Sequence, residues 1–335
     1  MNGRRTTKNI TVYDVAKAAG VSKSTVSLVL TRSDKVSDAA KEKVLKAIDA
    51  TGYVYNRDAA SMRSRKSNLV AIVINDLTNP YSAQLAVGLE KHIRQMGMFS
   101  MLVNSGECVQ TQSDLVRNLK EYNVAAFIIC PAPDTSCDWT NELVDRGFGV
   151  INIMRQIKGA NVPTVLPDNV KGSRLATEHI VAKGHTKVAF LGGSESISDY
   201  HERLSGFLQA MQSANIDCPK HLQIQSETTR DGGRKALSKA LEIEPDLQAV
   251  VCITDVVAYG AIEQMRTLGK APGKDIAIVG FDDLQDSQLM TPALSTVHID
   301  ADKIGAAVCK VLANIKEQSA DTVLVDVELK VRDSA

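Results

Sequence analysis

The chain has 335 residues, enough for two or three domains, and its 44% apolar and 23% charged content is that of a folded globular protein rather than a disordered or fibrous one. Its 39 basic and 39 acidic side chains cancel, but residues 1–66 hold 14 basic and 6 acidic ones, so the front carries +8 and the remainder −8. A basic front on an acidic body points to a polyanion-binding module joined to something else. The longest apolar runs, Leu69–Ile74 and Val124–Cys130, fall far short of the roughly 20 residues a membrane helix needs. Thr11 and Asp14 interrupt the place where a signal peptide would need its apolar core, so a cytoplasmic protein is expected. The cysteines at 108, 130, 137, 218, 252 and 309 form no C-x-x-C pair and read as free thiols of a reducing compartment.

The front predicts three short helices. Thr11 and Asp14 make a capping box for the first, in which Val12, Val15, Ala16 and Ala19 form one apolar stripe before Gly20. Ser22 caps a second, Lys23–Leu30, with Val26, Val29 and Leu30 facing inward. Ser37 and Asp38 start a third, with Ala40, Val44, Ala47 and Ile48 on its buried face and Gly52 at its end. Helix, glycine turn, helix is the arrangement that lays its second helix in the DNA major groove. Ser22, Lys23, Ser24, Thr25 and Ser27 crowd hydroxyls and a cation at the start of that helix, where free N–H groups also favour phosphate. An ordinary three-helix bundle with a polar surface has the same spacing; the +8 charge favours DNA.

Residues 56–66 are polar and lack a core-sized apolar stripe, the pattern of a linker or of a helix that orders only on a partner. From residue 67 short apolar runs alternate with amphipathic stretches. Strands are expected at Leu69–Ile74, Ser100–Val103, Ala125–Cys130, Gly149–Ile153, Val188–Leu191, Ala249–Ile253 and Ile276–Gly280. Helices are expected at Tyr81–Met96, Asp114–Tyr122, Gly172–Lys183, Glu202–Asn215, Gly232–Leu241 and Val256–Leu268. Such alternation builds doubly wound parallel α/β sheets, whose ligands sit beyond the carboxyl ends of the strands.

Several motifs carry a resemblance. Thr11-Val12-Tyr13-Asp14-Val15-Ala16, Ala19-Gly20-Val21-Ser22, Ser24-Thr25-Val26-Ser27, Val36-Ser37 and Gly52-Tyr53 with Asn56-Arg57 resemble the headpiece of the LacI/GalR family of bacterial transcriptional repressors. Asp76-Leu77-Thr78-Asn79-Pro80-Tyr81, Lys183-Gly184-His185, Arg203-Leu204-Ser205-Gly206-Phe207, Val279-Gly280-Phe281-Asp282-Asp283 and Thr291-Pro292-Ala293-Leu294-Ser295-Thr296-Val297 extend it along the chain. Ser27-Leu28-Val29-Leu30 is similar to the maltose-regulon repressor branch.

The resemblance implies an all-α helix-turn-helix headpiece (1–55), a hinge helix (56–66) and a two-lobed α/β core like the periplasmic binding proteins (67–335). One lobe would hold about 67–167 and 297–327, the other about 168–296 and 328–335, with crossings near Pro167–Asn169, Thr296 and the C-terminus. Lys23, Ser24 and Leu28 fall where the family reads base edges; Leu28, with no polar atom, could only make apolar contact. Tyr13, Ser22, Thr25, Ser27, Ser37 and Asn56 fall where it grips phosphates. Met62 falls at the minor-groove wedge, where the family usually has leucine, and Arg63, Arg65 and Lys66 read as phosphate contacts or a solvated linker.

The effector cleft implied by position is lined by Tyr81, Ser82, Asp168, Asp199, Arg203, Asp255 and Asp282. One arginine among carboxylates suits a polar, polyhydroxylated ligand, a sugar or sugar derivative, although each carboxylate also suits a plain helix cap. Glu227 stands where the family often places an aromatic lid. The resemblance further implies a homodimer on a pseudo-palindromic DNA operator, meeting through lobe faces near Asp76–Gly97. No C-terminal leucine heptad calls for a tetramer.

Two other classes compete. An enzyme is disfavoured because no G-x-G-x-x-G, no G-x-x-x-x-G-K-[ST], no H-E-x-x-H and no G-x-S-x-G occurs, and the histidines at 92, 179, 185, 201, 221 and 298 form no ligand pair. No metal or other cofactor is therefore expected. A small-molecule receptor would share the body but need a secretory signal and no headpiece. A repressor answering to a nucleobase corepressor stays open as an alternative.

Overall fold

The structure, a computed structural model, describes residues 10–30, 35–55, 67–317 and 320–335, and contacts divide the chain into two compact units on either side of Lys66 and Ser67. The expected hinge residues Asn56, Met62, Arg63, Arg65 and Lys66 lie outside the described residues.

The first unit contains α1 (Val12–Ala19), α2 (Lys23–Leu30) and α3 (Asp38–Thr51). Asp14 accepts hydrogen bonds from the Thr11 N–H (2.8 Å) and hydroxyl (2.7 Å), and Ser22 Oγ accepts from the Thr25 N–H (3.1 Å). These bonds satisfy donors that helix starts otherwise leave open. Gly20 sits at φ 65° and reverses the chain between α1 and α2, a conformation that a Cβ would strain. Val15, Ala16, Val26, Val29, Val44 and Ala47 close the small core. Ala40, expected on that buried face, is only half-buried.

The second unit begins with β1 (Leu69–Ile74), α4 (Pro80–Gln95), β2 (Phe99–Asn104), α5 (Val109–Leu119), β3 (Ala126–Ile129), α6 (Cys137–Asp145), β4 (Gly149–Ile153) and β5 (Thr164–Pro167). There follow α7 (Asn169–Ala182), β6 (Val188–Leu191), α8 (Ser198–Ser213), β7 (Gln223–Ile224), α9 (Arg230–Ile243), β8 (Ala249–Cys252) and α10 (Asp255–Thr267). β9 (Ala277–Asp282), α11 (Gln285–Leu289), β10 (Ser295–His298), α12 (Ala301–Ala313), β11 (Thr322–Val325) and β12 (Glu328–Lys330) complete it.

Two six-stranded sheets result, ordered β11-β5-β4-β3-β1-β2 and β12-β10-β9-β8-β6-β7. Every pairing is parallel except β10 with β12. Central strands are buried on both faces, as parallel sheets clad in helices require, which is why β1, β3 and β8 read as unbroken apolar runs. α4 and α12 meet without side chains between them: a Cβ on Gly88 would lie 2.3 Å from the Ala301 carbonyl oxygen, and one on Gly305 would lie 2.4 Å from that of Gly88.

The chain crosses between sheets at Pro167–Asn169, after His298, and between β11 and β12. The middle crossing therefore corrects the expected boundary near Thr296 and Val297, because β10 runs on to His298 and pairs throughout with β9 of the second sheet. Helix starts also move. α5 begins at Val109 rather than Asp114, and α8 begins at Ser198 rather than Glu202, so Asp199 joins its first turn. β5, β7, β10, β11 and β12 were not expected; each is short, and its extended state is made by partners distant in sequence.

Candidate functional sites: a headpiece face and an interlobe cleft

On the first unit, the exposed start of α2 gathers Ser22, Lys23 and Ser24. Ser22 Oγ lies 2.7 Å from Ser24 Oγ and 2.8 Å from Thr25 Oγ1, so the hydroxyls form one cluster at the helix N-terminus. Lys23 Nζ donates to Tyr13 Oη (3.0 Å) and lies 4.4 Å from the centre of its ring, which joins an exposed side chain of α1 to the start of α2. Ser27 is exposed and Leu28 half-buried on the next turn, while Ser37 Oγ accepts from the Ala40 N–H at 3.4 Å as the cap of α3. A cation, a phenol and several hydroxyls thus share one face with an open helix N-terminus. Such a set can hold phosphates and reach base edges.

In the second unit, the carboxyl ends of the two parallel sheets face each other across a cleft of about 580 Å3 of empty space, open solvent at its mouth included. Each side chain in it arrives at the end of an apolar strand or the start of the following helix, where the chain leaves the sheet. β1 leads to Asn75, Asp76 and Asn79, and α4 adds Tyr81 and Ser82; β2 leads to Glu107, β3 to Cys130, and β4 to Met154 and Arg155. From the second sheet come Asp199 and Arg203 on α8, Ile253 and Thr254 after β8, and Asp282 at the end of β9.

Arg203 is held from three sides. Its Nε donates to Asn169 Oδ1 (2.9 Å), its Nη1 donates to the Ile253 carbonyl, and its guanidinium stacks 3.7 Å from the centre of the Phe281 ring. Asp282 Oδ1 lies 3.9 Å away, an ion pair too long to hydrogen-bond. Asp282 also has φ 120°, a conformation that costs free energy in a residue with a side chain, and such strain gathers at binding sites. Burial pushes its carboxyl well above the usual range, against the pull of Arg203, and burial likewise raises the Tyr81 phenol, with Asp282 adding to it. Tyr81 Oη, Asp199 Oδ1 and Asp282 Oδ2 are buried without hydrogen-bond partners. A buried polar atom without a hydrogen bond is costly, so three of them facing one cleft mark the place of a ligand that supplies the missing partners, an acceptor for the phenol and donors for the carboxylates.

Asp168 and Asp255 are corrections to the expected set, since neither lines the cleft. Asp168 caps α7, accepting from the Lys171 N–H (3.0 Å), and its own N–H donates to the Val325 carbonyl (2.9 Å) at a lobe crossing. Asp255 is fully buried and accepts from the Leu284 N–H (2.9 Å), Ser287 Oγ (2.6 Å) and Thr296 Oγ1 (2.5 Å), which staples α10 to the loop after β9 and to β10. At each of these positions the capping role wins. Glu227 is exposed, and its neighbour Thr228 faces the cleft instead.

Burial pushes the Asp255 carboxyl up to about 6 against its three hydrogen bonds. A raised carboxyl favours the folded state most below about pH 4, and that contribution fades as pH rises to about 6. Asp255→Asn is therefore expected to flatten the stability profile between those limits. Asp255→Ala, which strands three donors, is expected to lower stability by about 3 kcal/mol in urea unfolding at neutral pH. A change under about 0.5 kcal/mol would contradict the staple.

Arg155, Glu107, Asn75 and Asn79 were missed by sequence reasoning. Arg155 Nη1 and Nη2 donate to Glu107 Oε2 (2.7 Å) and Oε1 (2.9 Å), and Asn75 Nδ2 donates to Glu107 Oε1 (2.7 Å). Burial opposes the charge on Arg155, but Asp199 and Glu107 outweigh it and raise its pKa. A signal was available: Arg155 stands two residues past the end of an apolar strand, where a charged side chain has only the sheet's carboxyl end to face. Among the described residues no group of His, Cys, Asp and Glu could hold a metal ion, and no helix is long and apolar enough to cross a membrane.

Comparison with known proteins agrees with both units. Residues 11–56 match the family of bacterial regulatory proteins, lacI family, and residues 67–332 match the periplasmic binding proteins and sugar binding domain of the LacI family. The maltose regulon regulatory protein MalI of Escherichia coli (strain K12) is 31% identical over 269 residues, 80% of this chain and 79% of that protein. A structure of the lac repressor dimer bound to operator and the anti-inducer ONPF superposes with a TM-score of 0.84 at 25% identity, covering 98% of this chain and 99% of that one. A complex of the transcriptional regulator CelR with cellobiose gives a TM-score of 0.74 at 26% identity, covering 97% and 100%. The chain belongs to the LacI family. It is a DNA-binding transcriptional repressor with an effector-binding domain.

Proposed function

We propose that this protein represses transcription in the cytoplasm as a homodimer whose hold on a pseudo-palindromic operator is set by a neutral, hydroxyl-rich ligand of sugar size in the interlobe cleft. The observation that carries the ligand reading is the trio of buried atoms without a hydrogen-bond partner, Tyr81 Oη, Asp199 Oδ1 and Asp282 Oδ2, in the cleft that Arg203 also lines. Carboxylate oxygens accept from hydroxyls and the guanidinium donates to them, which together read a polyol. Acidic groups outnumber basic ones along the cleft, with Asp76, Glu107, Asp199 and Asp282 against Arg155 and Arg203, which disfavours phosphorylated ligands. Nucleobases stack on flat aromatic surface, of which the cleft lining offers one ring, Tyr81, while the nearby face of Phe281 is covered by Arg203. The cellobiose complex of CelR and the maltose regulon named for MalI belong to relatives with the same architecture.

On DNA, α2 lies in the major groove with Lys23, Ser24 and Leu28 toward base edges, and Tyr13, Ser22, Thr25, Ser27 and Ser37 toward phosphates. The linker bearing Asn56 and Met62 enters the minor groove. A second copy of the chain meets the first-lobe rim, where Val87 of α4 (69% exposed) and Phe99 and Leu102 of the edge strand β2 (48% and 40%) present apolar surface to solvent. The lac repressor dimer on its operator supports this assembly. No catalytic role is proposed for the cleft.

The test is calorimetry on the full chain against a panel of neutral sugars, sugar phosphates and nucleobases, followed by gel shifts with any binder. A neutral sugar that binds and alters operator affinity is the expected result; a nucleobase or sugar phosphate binding in its place overturns the ligand assignment. Raising salt from 50 to 200 mM is expected to weaken operator binding by about 10³-fold or more as phosphate contacts are lost to counterions. Salt-independent binding would contradict the assigned headpiece face.

A further inference from the structure

Residues that follow β4 in the first lobe touch residues that open α8 in the second, and they do so beside the cleft. Arg155 is anchored in its own lobe, with Nη1 donating to Glu107 Oε2 (2.7 Å) and the Pro131 carbonyl (3.1 Å), and Nη2 donating to Glu107 Oε1 (2.9 Å). The Nε edge of the same guanidinium faces the other way and lies 3.5 Å from Asp199 Oδ1 of the second lobe. The adjacent Gln156 N–H donates to Ser198 Oγ at 2.8 Å. Two neighbouring residues of one lobe therefore meet two neighbouring residues of the other.

We infer that Arg155 is a positioning residue that ties the two lobes together through Asp199 and holds the partnerless oxygen of Asp199 where a ligand meets it. The inference rests on reading the cleft as the ligand site. A guanidinium forked onto a carboxylate has little freedom, and Asn75 fixes that carboxylate in turn, so Arg155 presents a stationary charge to the second lobe. At 3.5 Å the attraction to Asp199 acts without a hydrogen bond, so Asp199 Oδ1 is drawn across the cleft and still has its lone pairs to offer. Asp199 lies one helical turn before Arg203 on α8, so drawing Asp199 toward the first lobe also draws the main ligand-holding cation. Arg155 further lines both the inner cleft and an outer groove bounded by Thr135, Ser136, Lys158 and Ser196, and so forms the wall between them. Lobe closure and ligand capture are thereby linked through one side chain.

The test needs no ligand, so it stands apart from the identity of the effector. Hydrogen–deuterium exchange is followed on the full, unliganded chain in the peptides spanning 154–158 and 196–201. Asp199→Asn, a variant of equal size, is expected to speed exchange in both segments by about tenfold, with exchange elsewhere in α8 and in the central strands unchanged. Arg155→Gln is expected to do the same, and the double variant to add nothing further, since both remove one bridge. Lys in place of Arg155 can satisfy Glu107 but cannot span both carboxylates, so Arg155→Lys is expected to leave exchange fast. Unchanged or slower exchange at 154–158 in Asp199→Asn overturns the inference and reduces Arg155 to a brace within its own lobe. Asp199→Asn decides the matter alone, even where Arg155→Gln fails to fold.

Discussion

Arg203→Gln is expected to lower ligand affinity by at least about 100-fold and to abolish the ligand's effect on transcription, while operator binding in the absence of ligand stays within a few-fold of normal. The size follows from what the guanidinium does. It supplies the fixed donors of the cleft, and removing a buried charged donor from a ligand costs about 3 kcal/mol, equivalent to about two powers of ten in affinity. Glutamine keeps one amide for Asn169 or the Ile253 carbonyl, so folding is less burdened than by alanine. Calorimetry with the sugar found to bind, paired with a gel shift on the operator, separates the two effects. Unaltered ligand affinity would remove Arg203 from the site, and loss of operator binding in the absence of ligand would show that it supports the fold instead.

Removing residues 1–66 is expected to cost all specific operator binding, at least about 10³-fold, while ligand binding by residues 67–335 remains within about twofold of the full chain. The two compact units divide at that point, and the trunk has its own core, from Val70 and Ile72 of β1 to Val325 and Val327 near the last strands. The cation and hydroxyl face at Tyr13, Ser22, Lys23 and Ser24 leaves with the front segment, and the trunk that stays behind carries eight surplus acidic charges that repel a phosphate backbone. Fluorescence anisotropy with labelled operator at low and physiological salt reads the first effect, and calorimetry the second. Retained specific binding by the trunk would place the reading residues elsewhere.

Much of the architecture was open to inspection in the chain itself. β1, β4 and β6 fall at Leu69–Ile74, Gly149–Ile153 and Val188–Leu191, as their apolar runs predict, because a strand buried on both faces admits almost nothing else. α2 falls at Lys23–Leu30, as the cap at Ser22 predicts, because the capping bond is local. Arg155 and Glu107 escaped notice for the opposite reason. They stand 48 residues apart, and although the apolar run before Arg155 puts it at the carboxyl end of the sheet, nothing near either residue announces that Glu107 meets it there. Asp168 and Asp255 were placed in the cleft by position alone, since a strand-end carboxylate that caps a helix and one that binds a ligand look the same in sequence.

By itself, then, the order of residues determined the class of fold, the separation of a basic three-helix front from a parallel α/β trunk, and the face of α2 turned to solvent. Those features follow from period, caps and charge, which act between near neighbours. Only the tertiary structure decided which carboxylates keep a lone oxygen and which are consumed as staples, where β10 ends before the chain crosses between lobes, and that Arg155 reaches from one lobe to Asp199 of the other. Each of these depends on how two parallel sheets present their carboxyl ends to one another, a relation between strands far apart in the chain that no local pattern encodes.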